Sequence, residues 1–402
     1  MKILDRFMRY IAIDTTSDST KNDNASSEGQ RILAEVLVKE LNDLNIDEVY
    51  YDQDHCYVYA ILKGDESLPK IGFVSHLDTS EGAKGNNIKP KIISSYDGGD
   101  IILNSQNIIS VDLYPNLKNY IGKTIITTDG TTLLGADDKA GIAEIMNMLD
   151  YFVNSKGNHG DIYVCFTPDE EIGMGTLNLD INIFKPDFAY TVDGRGLGEL
   201  SYENFNSAKA TISINGIRTH LGKGKGTMIN AARIATIINS LLPDELPENT
   251  EGYEGFFHLK EISGNVNKAT MYYVIMDFNK DNFQKRKETI LNIVTKLNDK
   301  YNNCITIQIE DRFYNMKDII ESNPSLIENT KKAINNLGIE FKKVIIRGGT
   351  DGARISFKGI PCPNLGIGGN NFHSIYEYVC LEDMQKASEI LISIVKVFSK
   401  NK

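Results

Sequence analysis

The chain has 402 residues, more than one ordinary core of roughly 100–200 residues accommodates, so two domains, or one domain carrying a large insertion, is the expectation. Lys and Arg number 43 against 54 Asp and Glu, a formal charge of −11, and no basic run is long enough to track a phosphate backbone, which argues against nucleic acid as a partner. The opening MKILDRFMRYIAID is amphipathic and interrupted by Asp5, Arg6 and Arg9, unlike the apolar block of a signal peptide, and no later apolar run approaches the length of a membrane span; the sequence reads as soluble and cytoplasmic, without a membrane partner.

In chain order, helical patterns over residues 1–14 and SSEGQRILAEVLVKELNDL alternate with short β-branched or aromatic runs: CYVYAILKG, KIGFVSH, KTIITT, GDIYVCFTP and PDFAYTV. That alternation predicts an α/β domain, a sheet covered by helices. Near residue 208 the pattern changes to AKATISING, a helix through NAARIATIINSLL, the strands EGFFHLKEISG and KATMYYVIMDF, a helix DNFQKRKETILNIVTKLNDKY, and CITIQIEDRF, which together make a β-α-β-β-α-β unit. The first pattern then returns with NPSLIENTKKAINNLG, KKVIIRGGTDGARISF and a closing helix near 381–400. The expected organisation is therefore 1–207 as the first part of a larger domain, 208–317 as an inserted α+β domain, and 318–402 as the second part of the larger one. Cys56, Cys165, Cys304, Cys362 and Cys380 are scattered and mostly in strand-like apolar contexts, which predicts reduced core residues, not a disulfide framework or a CxxC metal knuckle.

Unusual polar residues collect at the predicted strand ends of the outer domain, where open α/β sheets place their ligand crevice. In VSHLDTS, His76 and Asp78 lie two apart and share a face if the strand persists, a geometry that suits an imidazole ligand and a carboxylate that orients it. LLGADDKAG puts Asp137 and Asp138 before a helix, where capping is the alternative. TPDEEIGMG carries Asp169, Glu170 and Glu171 in a row; YTVDGR carries Asp193; NNFHSIYEY carries His373. Each alone fits an ordinary turn, cap or hydrogen-bonded histidine. Jointly, two histidines and several carboxylates at equivalent strand ends form an O/N donor set for zinc, cobalt or manganese. Two divalent cations bring four positive charges; three ligating carboxylates and one bridging hydroxide bring four negative ones. A further acid can then act as base, so adjacent acids divide the work between binding metal and accepting a proton.

HLDT, TDGTTLLGADDKAGIAEI, TPDEEIGMG, YTVDG, RGGTDGAR and GGNNFH, in this order and spacing, closely resemble the tripeptide aminopeptidases of the di-zinc exopeptidase family, which also contains aminoacylases and related dipeptidases. The resemblance covers nearly the whole chain. It implies a zinc-exopeptidase-like mixed sheet flanked by helices, with an inserted lid, and two zinc ions per chain. By the family pattern His76 and Asp193 hold one metal, His373 and Glu171 the other, and Asp137 bridges them; Glu170 is the general base and Asp78 the carboxylate behind the first histidine. A non-proline cis peptide is expected after the bridging aspartate. His220, in RTHLGKGKGT, matches a lid histidine that approaches substrate, and Arg354 matches a position suited to grip a substrate carboxylate, with a structural ion pair as the alternative. The glycine-lysine run after His220 lacks phosphate-loop spacing.

The match is less complete outside the metal ligands. Leu221 stands where the family has proline, Met276 where the tripeptide aminopeptidases have arginine, and Arg195 and Ser374 where glycine is usual. The expected function is removal of the N-terminal residue from short peptides, tripeptides foremost, by a metal-bridging hydroxide with Glu170 as base. The rivals are an aminoacylase or dipeptidase on the same scaffold, and a non-catalytic metal- or peptide-binding protein. Short peptides are the expected partners, and a homodimer is compatible with the sequence. Asp169 has no role in this scheme and is expected to tolerate Asn.

Overall fold

A computed structural model describes residues 2–21, 24–155 and 157–400. Its residues cluster into two compact units: one takes the chain up to Tyr202, Asp318–Val344 and everything from Arg354 onward, the other takes Glu203–Lys317 and Ile345–Ala353.

The first unit is built on an eight-stranded mixed sheet. Its strands are β1 (Glu48–Asp52), β2 (Tyr57–Leu62), β3 (Ile71–His76), β4 (Ile162–Thr167), β5 (Phe188–Gly194), β6 (Glu199–Asn204), β7 (Lys342–Ile346) and β8 (Asn364–Gly366), in the spatial order β1-β2-β4-β3-β5-β8-β6-β7. β4, β3, β5 and β8 run parallel to one another, while β2 and β6 pair antiparallel on either side. Every residue of β2, β3 and β4 is buried, as expected of strands covered on both faces. On one face Tyr57, Tyr59, Val74, Tyr163 and Cys165 form a core with Leu179, Phe184, Ile355 and Ile360. The helix Ala136–Ser155 packs on β3 and β5 and against the helices Ile3–Ile11 and Leu381–Phe398. Its approach to β5 is close: a Cβ at Gly141 would stand 2.0 Å from the Val192 carbonyl oxygen.

KTIITT is a strand, Ile125–Thr128, but it lies outside this sheet. It sits in a second, four-stranded sheet between Pro90–Ile93 and Tyr378–Cys380, with Gly369–Asn370 at the far edge. This smaller sheet brings the segment leading to Asp137 beside the segment leaving His373.

The second unit holds a four-stranded antiparallel sheet in the order Phe256–Gly264, Lys268–Asp277, Asn206–Asn215, Ile305–Phe313. Alternate residues of Lys268–Asp277 are buried, the signature of a sheet with one face packed. That face meets the helices Ala231–Leu241 and Lys280–Lys300 through Ile212, Ile234, Ile238, Met271, Tyr273, Ile290 and Val294. Ile345–Ala353, which the sequence pattern assigns to the larger domain, groups with this unit for a local reason. Gly348 accepts a bond from the Phe205 amide, and Arg347 donates to the carbonyls of Thr250, Gly252 and Glu254.

Candidate metal centre

The carboxyl ends of three adjacent parallel strands converge. His76 is the last residue of β3 and lies opposite Thr167, the last of β4; the acidic triplet follows β4, and Asp193 is the penultimate residue of β5. Asp137 precedes the regular part of its helix with φ −83° and ψ 100°, and the Asp137–Asp138 peptide is cis. Asp138 turns away and holds β3: its Oδ2 accepts from the His76 amide at 3.1 Å and from the Ser75 hydroxyl.

Two groups form around Asp137. His76, Asp137 and Asp193 offer ligand atoms within 4.8 Å of one another, and so do Asp137, Glu171 and His373. His76 Nε2 lies 2.9 Å from Asp137 Oδ1 and 3.5 Å from Asp193 Oδ1. His373 Nε2 lies 3.0 Å from Asp137 Oδ2 and 2.8 Å from Glu171 Oε1. The two oxygens of Asp137 thus face different histidines. The groups differ in access: the His76 side chain is 2 % exposed and that of His373 49 %. His373 itself holds φ +61°, uncommon for a residue with a side chain.

Asp78 ties the arrangement together. The His76 Nδ1 sits 3.0 Å from the Asp78 carbonyl oxygen and 3.2 Å from its carboxylate Oδ1, which holds a hydrogen on Nδ1 and makes Nε2 the nitrogen that would serve a ligand once its own proton is displaced. The same carboxylate accepts from the Glu170 amide at 2.9 Å and the Glu171 amide at 3.1 Å. One aspartate therefore orients the first histidine and the backbone of both glutamates.

The donor chemistry fits divalent cations. A ring nitrogen carries one hydrogen, yet His373 Nε2 faces two carboxylate oxygens, and the Glu171 Oε1 is buried without a properly aligned hydrogen bond, so the three groups converge on a point more than they pair. Burial opposes protonation of His76, but the Asp193 charge and bonds from Asp137, Asp193 and Asp78 outweigh it and hold its pKa well above the usual imidazole range. His373 is raised in the same way, burial yielding to Asp137 and Glu171. Burial, reinforced by the Asp137 charge, raises Glu171; burial raises Asp193 against the pull of His76. Three carboxylates with two rings that both hold on to protons form a cluster short of positive charge, the deficit that metal ions remove.

The triplet divides by environment. Glu171 is an element of the cluster, and Glu170 lies beside it, partly exposed. Asp169, for which the sequence offers no role, is fully buried at φ +53° and bonded on both oxygens: Oδ1 accepts from the Ser26 hydroxyl at 2.5 Å and Gln30 Nε2 at 2.7 Å, and Oδ2 from the Ser26 amide at 2.9 Å. This network argues against the expectation that Asn is tolerated there. Arg354 is half-buried and its Nη1 donates to the Gly173 carbonyl, so its guanidinium braces the loop that carries the triplet.

His220 belongs to the second unit, exposed in the turn Leu221–Lys223, with Nδ1 accepting from the Gly222 amide at 3.3 Å. Met276 packs against the Phe205, Phe256 and Phe278 cluster of that unit. Arg195 is exposed, and the Ser374 hydroxyl donates to the Asn371 carbonyl at 2.7 Å, shaping the His373 loop. Sequence reasoning passed over Glu377, whose buried carboxylate accepts from the amides of Leu134, Gly135 and Asp137. An acid set in the apolar run YEYV was the available signal.

A mixed sheet that delivers two histidine–carboxylate groups sharing one aspartate has the build of a metal-dependent hydrolase. The chain belongs to the peptidase family M20/M25/M40, whose sequence pattern it matches over residues 128–397, and it is a metallo-exopeptidase. It is 48 % identical over 406 residues to the peptidase T of Caldanaerobacter subterraneus subsp. tengcongensis, covering 99 % of each chain, and 48 % identical over 404 residues to the peptidase T of Bacillus subtilis, covering 99 % of this chain and 98 % of that one. Among solved structures, the aminopeptidase PepT of Bacillus cereus superposes with a TM-score of 0.78 at 22 % identity, covering 99 % of this chain and 98 % of that one. At that identity the superposition speaks for the fold, and it bears out the expected mixed sheet flanked by helices. No helix among the described residues is long and apolar enough to cross a membrane.

Proposed function

We propose that this chain is a di-zinc aminopeptidase that removes the N-terminal residue from short peptides, tripeptides foremost. The observation that carries the reading is the double use of Asp137, one carboxylate oxygen toward His76 and the other toward His373. The full-length similarity to proteins named peptidase T supports the substrate class. His76, Asp193 and Asp137 would hold one ion, and Glu171, His373 and Asp137 the other; zinc suits these donors, and cobalt or manganese would also bind. Such a pair supplies Lewis acidity toward the scissile carbonyl and lowers the pKa of nearby water.

The chain's own residues do the rest. Asp78 keeps Nε2 of His76 available and fixes the backbone of Glu170 and Glu171. Glu170 removes a proton from the attacking water as the oxygen bonds to the first peptide carbonyl, and returns it to the leaving amine as the C–N bond breaks. His220 would donate to the oxyanion, a role that rests on its sequence motif. For Arg354, its bond to Gly173 favours bracing the glutamate loop, with the grip on a substrate carboxylate as the second reading. All five cysteines are free, in keeping with a cytoplasmic location.

The test is a substrate panel on purified protein with and without added zinc. Turnover of free-amine tripeptides, with little on N-acylated amino acids, is expected. Preference for the N-acylated substrate would favour an aminoacylase, and absence of turnover of every substrate by metal-loaded protein would refute the aminopeptidase reading.

A further inference from the structure

Glu377 is 1 % exposed and lies four residues after His373. Its Oε2 accepts from the amides of Leu134 at 2.8 Å and Gly135 at 2.9 Å, and its Oε1 from the Asp137 amide at 3.1 Å. Three backbone N–H groups converging on one carboxylate make an anion nest, which Gly135 permits by adopting φ +79°. Both sides of the contact are themselves fixed. The Thr127 hydroxyl donates to the Glu377 carbonyl at 2.8 Å, and Val379 lies opposite Ile126 in the small sheet. The nest ends at Asp137, and the chain that supplies the carboxylate begins at His373, whose Nε2 lies 3.0 Å from Asp137 Oδ2.

We propose that Glu377 is a positioning residue that pre-sets Asp137 against His373, so that the shared carboxylate faces both ions before either binds. The inference rests on the reading of Asp137 and His373 as ligands. If only folding of the loop were needed, ordinary turn bonds or a water could serve these amides; a carboxylate buried from solvent adds a desolvation cost that three aimed N–H groups offset only while the loop keeps this geometry. Glu377→Gln tests it, because the amide has the same shape but sets a donor against at least one of the three N–H groups. Its less costly orientation turns the oxygen to the Leu134 and Gly135 pair and leaves the Asp137 amide without an acceptor.

The measurement is cobalt(II) titration of metal-free protein, followed by visible absorption and repeated with zinc in competition. Folded Glu377→Gln should bind both ions about 10–100-fold more weakly, the usual effect of removing a partner behind a ligand, and excess metal should restore activity. A purely structural carboxylate would lower the unfolding midpoint but leave the cobalt affinity of the folded protein at the wild-type value, and that result overturns the proposal. Wild-type protein that binds no cobalt pair at all would instead overturn the di-metal reading. Hydrogen exchange in metal-free wild-type protein gives a second, variant-independent answer. The amides of Leu134, Gly135 and Asp137 should already exchange slowly; if they exchange freely and slow only on adding metal, the loop is set by the ions and Glu377 is not its organiser.

Discussion

Replacing Asp169 by Asn separates hydrogen bonding from backbone strain at the acidic loop. Asn tolerates the left-handed φ of +53° that Asp169 adopts, so the backbone is not challenged. The carboxylate, however, serves three donors at once, the hydroxyl and amide of Ser26 and the Nε2 of Gln30, and an amide has only one oxygen. If its oxygen stays with the hydroxyl and Gln30, its NH₂ confronts the Ser26 N–H; if it flips, its NH₂ confronts Gln30 Nε2. Either way one buried donor loses its acceptor, at about 1–3 kcal/mol. Relief of the charge offsets part of this, since burial already raises the Asp169 carboxyl pKa. A net destabilisation of about 1–2 kcal/mol follows. Because Glu170 and Glu171 are the next two residues, kcat should fall about tenfold as well, with metal content unchanged. Asp169→Ala should cost about 1–2 kcal/mol more, since alanine resists the left-handed conformation. The assay is urea unfolding followed by circular dichroism, alongside kcat and elemental analysis. An Asn variant within about 0.5 kcal/mol of wild type and with unaltered kcat would refute the reasoning and show that the buried site accommodates the loss of one acceptor.

Glu170→Gln should keep both ions by elemental analysis while kcat falls about 10²–10⁴-fold, because the amide matches the carboxylate in shape but cannot take a proton. Glu171→Gln should instead lose metal from the His373 group, a neutral amide replacing an anionic ligand. Metal loss in the first variant and retention in the second would exchange the two roles. His220→Ala should lower activity at unchanged metal content; wild-type kinetics would make His220 a surface loop residue. Fully active protein should hold two divalent ions, and chelation should abolish activity without unfolding the sheet; one ion at full activity would remove Asp137 as a shared ligand.

The α/β class and the family were legible because the chemistry sits in contiguous motifs. HLDT ends a strand at His76, LLGADDKAG opens a helix at Asp137, and TPDEEIGMG follows a strand, so local period and residue type suffice. Partners far apart in the chain were not legible. Ser26 and Asp169 are 143 residues apart, Leu134 and Glu377 243 apart, and Gly173 and Arg354 181 apart. Leu134 and Gly173 contribute backbone groups, which leave no mark in the composition, and Ser26 contributes its amide together with a hydroxyl that looks like any other in the sequence. The small sheet was missed for a related reason: KTIITT reads as a strand, but its neighbours are only two to four residues long and their pairing is set by tertiary contact.

The triplet Asp169-Glu170-Glu171 shows how local and distant information combine. Three adjacent acids repel when they share an environment, and the left-handed turn at Asp169 is what lets them avoid sharing one. Asp169 spends its charge on the donors of Ser26 and Gln30, while Glu171 points to His373. Glu170 is the acid left beside the cluster with part of its surface in solvent, where a water can reach it. The family resemblance assigns Glu171 to metal and Glu170 to the proton; the surroundings that keep the three acids apart come from Ser26, Gln30, Asp78 and His373, residues supplied from three other places along the chain.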